Sequence, residues 1–329
     1  MIYNAIIAKS LNIQERQVAN TLKLLSEGST IPFISRYRKE MTGELNEVQI
    51  QEIQEQFEKY TELEKRKDSI LKSIEEQGKL TPELKKRILE SWNINEIEDI
   101  YLPFKPKRRT RAEIAKEKGL EPLAKIIMRQ IGNDAEDAAL PFVKGDIADA
   151  KEAIKGAQDI IAEWVNENEV ARDRMRKNFS YEAEIISKVV KSKENEAEKY
   201  RDYFDIHEPL KRCSSHRLLA MRRGETEGFL RVSITPDDEH SLERLYPLFV
   251  KGNNDLSRVV SEAVNDSYKR LIKPSIETEF AASSKEKADD EAIRVFAENL
   301  RQLLLSPPLG QKRVLAIDQA TERAVKWFV

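Results

Sequence analysis

The densest positive charge in the sequence lies between residues 105 and 111. Five of these seven positions are cations: Lys105, Lys107, Arg108, Arg109 and Arg111. Two aromatic residues, Tyr101 and Phe104, precede them. Cations neutralise backbone phosphates, and aromatic rings stack on unpaired bases. The segment is therefore a candidate nucleic-acid contact, and the alternative is a solvated loop whose cations pair with nearby carboxylates.

A second basic cluster lies closer to the amino terminus. It contains Arg36, Arg38 and Lys39, with Tyr37 between the two arginines. Apolar residues just before it, among them Phe33, indicate that the cluster is anchored to a core. These cations suit either phosphate contacts or internal ion pairs, and the sequence leaves both open.

The remaining reactive side chains do not assemble into a catalytic motif. Cys213 is the single cysteine, and no base at a convincing spacing orients it. Gly224 and Gly228 are typical of a turn rather than of a phosphate loop, and no Walker or dinucleotide fingerprint is present. We therefore expect no catalytic residue, no metal site, no cofactor and no enzymatic activity.

Asp318 is the one acid whose setting resembles a catalytic carboxylate, because it ends an apolar run that reads as a strand. Nucleases of the ribonuclease-H-like class begin their metal site in this way. Two-metal chemistry also needs acids from later strands. The sequence continues for eleven residues after Asp318, so we expect no nuclease activity.

Composition restricts the class of protein further. Charged residues make up 35% of the 329 residues and aromatic residues only 7%, which favours long, salt-bridged helices. Lys and Arg number 56 against 58 Asp and Glu, so a nucleic-acid site must be a local patch. No signal peptide or long apolar run is evident, and we expect a cytoplasmic protein with no membrane contact.

Apolar spacing predicts helices along most of the chain. The longest begins after Asn46 and ends near Gly78, with apolar steps typical of a helical seam. Pro32 stands where another helix can start. Further helices are expected at 14–27, 121–131, 148–168, 169–179, 239–249, 254–272 and 285–305.

A few segments favour other structures. Pro103 and Pro106 predict an extended connector over 100–111. A β-branched run predicts a strand at 185–190, and two apolar runs around Gly224 and Gly228 predict a β-hairpin at about 216–234. The fold class is therefore mainly α with a small β-hairpin element, arranged as two packed subdomains.

Five segments in unchanged order resemble the bacterial transcription accessory protein Tex family. They are TIPFISRYRKEMTGE from residue 30, EQGKLTPEL from 76, IEDIYLPFKPKRRTRAEIAKEKGLEPL from 97, RDYFDIHEPL from 201 and SHRLLAMRRGETEGFL from 215. The resemblance extends from the start of the chain to Asp318. Motifs of this length make it highly specific.

The resemblance implies a multihelical Tex N-terminal region with a helix-turn-helix-like part. In the family this region precedes a YqgF domain of the ribonuclease-H-like fold, helix-hairpin-helix elements and an S1 domain that binds RNA or DNA. The implied domains here are a helical subdomain at 1–195, a second helical subdomain with the hairpin at 196–310, and the start of a YqgF domain at 311–329.

The likeness to the family stops after Asp318. Inserting one base after the Asp318 codon in a suitable back-translation turns the last eleven residues into Pro-Gly-Tyr-Arg-Thr-Gly-Cys-Lys-Val-Val-Cys, which follows the family pattern. We therefore expect a one-base deletion at this point, real or introduced by sequencing. We also expect the strand at 313–318 to lack sheet partners and residues after about 311 to pack weakly.

The resemblance and the basic clusters together predict the function. We expect a nucleic-acid-associated transcription accessory protein, represented by its N-terminal scaffold without the S1 domain. Its partners would be RNA or DNA, bound weakly, and the transcription machinery. The alternative is a protein-interaction module that docks on the transcription or translation machinery through helical grooves.

Overall fold

A computed structural model describes residues 2–106, 109–132, 134–307 and 310, together with the backbone of 316–320 and 324–328. These residues form a mainly α-helical protein with a small antiparallel sheet. The helices are α1 Ile2–Leu11, α2 Glu15–Ser26, α3 Ile31–Tyr37, α4 Lys39–Thr42, α5 Glu47–Glu76, α6 Pro82–Glu90, α7 Ile94–Tyr101, α8 Arg111–Glu117, α9 Glu121–Arg129, α10 Ala135–Ala139, α11 Ala150–Asn166, α12 Glu169–Glu182, α13 Ser215–Thr226, α14 Asp238–Phe249, α15 Asp255–Ser267 and α16 Lys273–Leu304. The strands are β1 Glu184–Val189, β2 Asp205–Pro209, β3 Leu230–Thr235, β4 Ala316–Ala320 and β5 Ala324–Phe328.

The chain divides into two compact units that are interleaved in sequence. The first unit comprises Met1–Met175 and Leu242–Ile272, and the second comprises Arg176–Ser241 and Lys273–Val329. A five-residue π-helical turn, Tyr268–Ile272, ends the first unit. The contiguous domains expected from the sequence stay a prediction.

Helix α5 organises much of the first unit. Asn46 caps it by accepting a hydrogen bond from the Gln49 backbone N–H, as the sequence predicts. Ile50 and Ile53 are fully buried in an apolar cluster with α1, α2 and α3. Leu63, Ile70, Ile74 and their neighbours form a second cluster with α6 and α7. Each half of α5 therefore has its own core.

The later part of the first unit returns to complete the earlier part. Gln130 ends α9 in a left-handed conformation (φ 56°), and its side chain donates to the Phe249 carbonyl at 2.7 Å. The Ser257 hydroxyl donates to the side-chain amide oxygen (Oε1) of Gln130 at 2.9 Å. The Ser267 hydroxyl donates to the Ala162 carbonyl at 2.6 Å, which ties α15 to α11.

The second unit contains an antiparallel sheet in the order β2-β1-β3. Ile185 and Ile234 are register partners on its buried face. The opposite face carries Ile186 and Lys188 of β1 and Arg231 of β3, since side chains alternate between the faces of a sheet. Helices α13 and α16 contact β3.

The expected β-hairpin at 216–234 is wrong in its first half. Ser215–Thr226 is helix α13, and its buried residues Leu218 and Met221 follow helical spacing. Gly224 is a packing residue rather than a turn residue, because a Cβ there would lie 2.6 Å from a Leu230 methyl carbon. Gly228 does form a turn, at φ +76°. β3 then pairs with β1.

Two other expectations are corrected. The segment 100–111 is not extended throughout, because α7 continues to Tyr101 and a 3-10 helix covers Leu102–Phe104. The strand expected to lack partners has one: β4 pairs antiparallel with β5. The expectation of weak packing after residue 311 concerns side chains that lie outside the described residues.

Within the described residues, no helix is both long enough and apolar enough to cross a membrane.

Candidate nucleic-acid interface

The first basic cluster lies on a surface formed by α3 and the start of α4, and we call Phe33, Arg36, Tyr37, Arg38 and Lys39 the α3–α4 surface. Buried Ile34 anchors it, as the sequence indicates. The Ser35 hydroxyl donates to the Glu47 carboxylate at 3.2 Å, which fixes α3 against the start of α5. The surface therefore belongs to a packed element.

Its two aromatic side chains are exposed and lie in contact with each other. Phe33 is 39% exposed and Tyr37 is 68% exposed, although large apolar rings are usually buried. The two ring centroids lie 5.4 Å apart. The Arg38 guanidinium lies 5.1 Å from the Phe33 ring centroid, a cation–π distance. Such a surface presents stacking faces and positive charge together.

The charges of the α3–α4 surface are only partly neutralised. Arg36 lies 3.6 Å from the Glu47 carboxylate, and both side chains are at least half exposed. In the described part of the chain, Arg38 and Lys39 form no ion pair, although Glu40 and Glu44 are close in sequence. Two of the three predicted cations are thus available to an anionic ligand.

The structure describes only part of the second cluster, between residues 105 and 111. Lys105 is exposed. Lys107 and Arg108 lie outside the described residues. Arg109 forms an exposed ion pair with Glu117 at 3.2 Å. The neighbouring Thr110 caps α8 by accepting from the Glu113 backbone N–H.

Arg111 opens α8 and lines a small cleft of about 210 Å³ with Lys118, Lys155 and Asp159. Burial raises the pKa of the Asp159 carboxyl, and the charges of Lys155, Arg270 and Arg111 oppose that rise. Arg111 therefore faces a carboxylate of its own unit. The cation that pairs with the Asp159 carboxylate in the described residues is Arg270, at 3.6 Å.

The two predicted clusters do not form one site. The Glu47 side chain, at the start of α5, contacts α3, whereas Ser73 and Gln77, at the other end, contact Tyr101 and Phe104. A helix rises 1.5 Å per residue, so these ends lie about 40 Å apart. Each cluster must be assessed alone.

Helices α2 and α3 follow each other in the chain, and the turn between them has the length seen in helix-turn-helix motifs. Four residues, 27–30, join them, and such turns are three or four residues long and often contain glycine. Gly28 adopts φ +86°, a conformation that favours glycine. Arg36 is in the last turn of the second helix.

Cys213, the cysteine considered in the sequence, is not poised to act as a nucleophile. Burial, followed by a hydrogen bond with Glu208, raises the pKa of the Cys213 thiol to about 12, which is the opposite of what a nucleophile needs. No group of three or more His, Cys, Asp or Glu side chains could hold a metal ion in the described part. Cys213 is better suited to packing than to reaction.

Sequence reasoning missed a third basic surface, in the second unit. Lys188, Lys191 and Arg231 line a cleft of about 820 Å³ at one end of β1 and β3, which we call the sheet cleft. Each residue is unremarkable in the sequence, where more than 40 positions separate Lys188 from Arg231. Only the strand register brings them together.

The fold and these surfaces define a mainly helical protein with separate basic patches on its exterior. Residues 1–75 match the Tex-like protein N-terminal domain, and residues 130–296 match the Tex central region-like description. The chain belongs to the Tex family.

Three relatives illustrate the membership. The chain is 40% identical to the transcriptional accessory protein Tex of Neisseria gonorrhoeae, across 98% of this chain and 44% of the relative. It is 40% identical to YdcI of Bacillus subtilis, across 98% and 46%, and 38% identical to protein tex of Bordetella pertussis, across 97% and 42%. The chain spans less than half the length of these relatives.

Proposed function

We propose that this chain acts as a nucleic-acid-associated scaffold in transcription, in the cytoplasm, and that the α3–α4 surface is its contact with RNA or DNA. One observation carries the proposal: two exposed aromatic rings stand beside two cations that form no ion pair in the described residues. The name of the N. gonorrhoeae relative, a transcriptional accessory protein, supports the setting.

Electrostatic contacts and base stacking would both contribute to binding at this surface, through different residues. Arg38 and Lys39 meet phosphates, and Tyr37 offers a face to an unpaired base. With α3 as the second helix of a helix-turn-helix-like part, the same cations would follow a duplex backbone instead. Both modes predict binding that weakens steeply with salt.

Fluorescence anisotropy with labelled oligonucleotides tests the proposal. The variant Arg36→Gln, Arg38→Gln, Lys39→Gln should bind a single-stranded probe about tenfold more weakly at low salt, and the slope of log affinity against log salt should shrink by about 2. The matched control neutralises Lys59, Lys65 and Lys72, which are exposed on α5.

Two results would count against the α3–α4 surface. One is an equal loss of affinity in the variant and the control, which would make net charge the cause. The other is affinity that does not change between low and moderate salt, since phosphate contacts release counterions.

A second candidate function is a protein-interaction module. An open cleft of about 600 Å³ between α1, α2 and α5 is lined by Leu22, Leu25 and Phe57, and apolar clefts of this kind accept partner helices. Nuclease-treated chain should then still bind purified RNA polymerase or ribosomes. Loss of that binding after nuclease treatment would favour the nucleic-acid function.

We also propose that the chain acts without catalysis. Highly purified protein incubated with labelled RNA or DNA and Mg²⁺ or Mn²⁺ should leave the substrate intact. Metal-dependent cleavage that co-purifies with the chain would overturn this.

A further inference from the structure

The sheet cleft holds two like charges directly opposite each other. Lys188 of β1 and Arg231 of β3 are cross-strand register partners on the exposed face. Opposed residues on antiparallel strands have Cβ atoms about 5 Å apart, and like charges there destabilise a sheet. Lys191, in the 3-10 turn that follows β1, adds a third cation to the lining.

The acids near these cations leave them unpaired. Glu225 is the carboxylate in the cleft lining, and it already accepts a hydrogen bond from Arg222 at 2.7 Å and from the Val232 backbone N–H at 3.3 Å. Asp205 of β2 is the other register partner of Lys188. In the described part of the chain, neither Asp205 nor any other acid forms an ion pair with Lys188, Lys191 or Arg231.

The other residues of the cleft suit a phosphate ester, because hydroxyl groups can donate to its phosphate and an apolar side chain can contact its organic part. Ser192 and Ser233 line it, and within the described residues their hydroxyls have no hydrogen-bond partner. Ile186 lies half-buried opposite Ser233. Beside the cleft, the Lys193 ammonium lies 5.6 Å from the Phe229 ring centroid.

The outer edge of β3, one of the two edges of the sheet, is closed to a peptide strand. A peptide would add to β3 by bonding to its outward backbone N–H groups. Glu225 accepts from Val232, and the Glu277 carboxylate accepts from the Ile234 N–H at 3.0 Å. The open cations beside this blocked edge favour a polyanion over a peptide.

We propose that the sheet cleft binds the phosphate backbone of a single-stranded nucleic acid. The cations lie along an open cleft rather than around an enclosed pocket, as a chain of phosphates requires. The inference rests on the proposed nucleic-acid function and deepens it by adding a second contact, in the second unit.

The test compares neutralised variants of the full chain by anisotropy, with labelled oligouridylate and oligodeoxythymidylate of about 20 nucleotides, a length that spans several cations. The sheet variant is Lys188→Gln, Lys191→Gln, Arg231→Gln. Its matched control is Lys287→Gln, Arg294→Gln, Arg301→Gln, exposed positions on α16 of the same unit with the same change in net charge. Circular dichroism melting confirms folding.

The sheet variant should lose about tenfold in affinity at low salt, with a salt slope smaller by about 2, and the control should stay within twofold of wild type. A sheet variant that binds like its control overturns the inference. If the α3–α4 variant then still loses affinity, the proposed function stands without the cleft.

Two further outcomes also overturn the inference. One is equal affinity of the cleft for a polyglutamate of matched charge, because it would assign the cleft to acidic proteins. The other is a wild-type chain that binds no oligonucleotide at low salt, which would overturn the proposed function as well. Loss in the sheet variant alone, with an unaffected α3–α4 variant, supports the cleft and refutes the α3–α4 surface.

Discussion

The two ends of α5 place aromatic residues and cations together, but they use them in opposite ways. At the start of α5, Tyr37 and Phe33 are exposed, and the Arg38 guanidinium lies 5.1 Å from the Phe33 ring centroid. At the other end, Lys67 is fully buried, its ammonium 4.0 Å from the Trp92 ring centroid and 2.9 Å from the Leu89 carbonyl. The same residue types are exposed at one end of α5 and packed in the interior at the other.

The difference depends on which carboxylates lie next to the cations in the folded chain, and the spacing of the cations in the sequence does not reveal it. Arg66 is paired with Glu98 at 2.5 Å, and Arg109 is paired with Glu117. Burying a charge costs free energy unless it is paired and hydrogen-bonded. The buried Lys67 meets that cost with the Glu64 carboxylate and the Leu89 carbonyl, so its charge is not available to a ligand.

The largest expected effect tests whether charge at the far end is structural. Asp99 of α7 and Arg172 of α12 form a buried ion pair at 2.6 Å, with 7% and 5% of their side chains exposed. Asp99→Ala should lower the free energy of unfolding by about 3–5 kcal/mol, because it leaves a buried arginine without that carboxylate. Urea denaturation measures it.

The exposed pair at the near end is the control for Asp99. Arg36→Ala removes the partner of Glu47, leaves the Ser35–Glu47 hydrogen bond in place, and should change the free energy of unfolding by about 0–1 kcal/mol, since exposed pairs contribute little. Similar losses in both variants would erase the contrast between the two ends.

The next effect concerns the aromatic rings. Tyr37→Ala should weaken binding of a single-stranded probe by about 1–3 kcal/mol while leaving the salt slope unchanged, because stacking carries no charge. Tyr101 is 7% exposed, and its hydroxyl lies 3.0 Å from that of Ser73. Tyr101→Phe should therefore leave affinity unchanged, and a loss there would indicate that the far end binds as well.

A smaller effect tests whether Glu117 masks the far cluster. Glu117→Gln removes the carboxylate that pairs with Arg109. Affinity for a single-stranded probe at low salt should rise by about twofold or less, since one exposed cation becomes available. Glu83→Gln, an exposed acid on α6 with the same charge change, should have no such effect. A decrease with Glu117→Gln would contradict the masking.

Another small effect extends the comparison to the sheet cleft. Arg231→Gln relieves the repulsion with Lys188, so the free energy of unfolding should rise by about 0.2–1 kcal/mol while affinity falls. A gain in stability together with a loss of affinity would indicate that these cations contribute to binding rather than to packing. A fall in both, measured by urea denaturation and anisotropy, would mark Arg231 as structural.

Local patterns predicted the helical frame well. The apolar steps along α5 and the cap at Asn46 are properties of neighbouring residues, and both are confirmed. The hairpin failed because Leu218, Leu219 and Ala220 form an apolar run that suits a strand or a helix equally. The contact that explains Gly224, its packing against Leu230, becomes apparent only in the folded chain.

Long-range pairing accounts for what the sequence did not show. β2 has a single apolar residue, Ile206, flanked by polar ones, and becomes a strand through pairing with β1. The cations of residues 105–111 were visible in the sequence, but the pairing of Arg109 with the Glu117 carboxylate was not assignable. The opposition of Lys188 and Arg231 depends on strand register in the same way.

The interleaving of the two units has a consequence for synthesis on the ribosome. Gln130 and Ala162 are synthesised before Phe249, Ser257 and Ser267, with which they are hydrogen-bonded in the folded chain. Close to a hundred residues separate Met175 from Ile272, so a bacterial ribosome needs roughly 5–20 s to supply the missing piece. During that interval α11 lacks its contact with α15, and its apolar side is left uncovered. Nascent chains stalled inside the second unit should therefore be especially sensitive to proteases and dependent on chaperones.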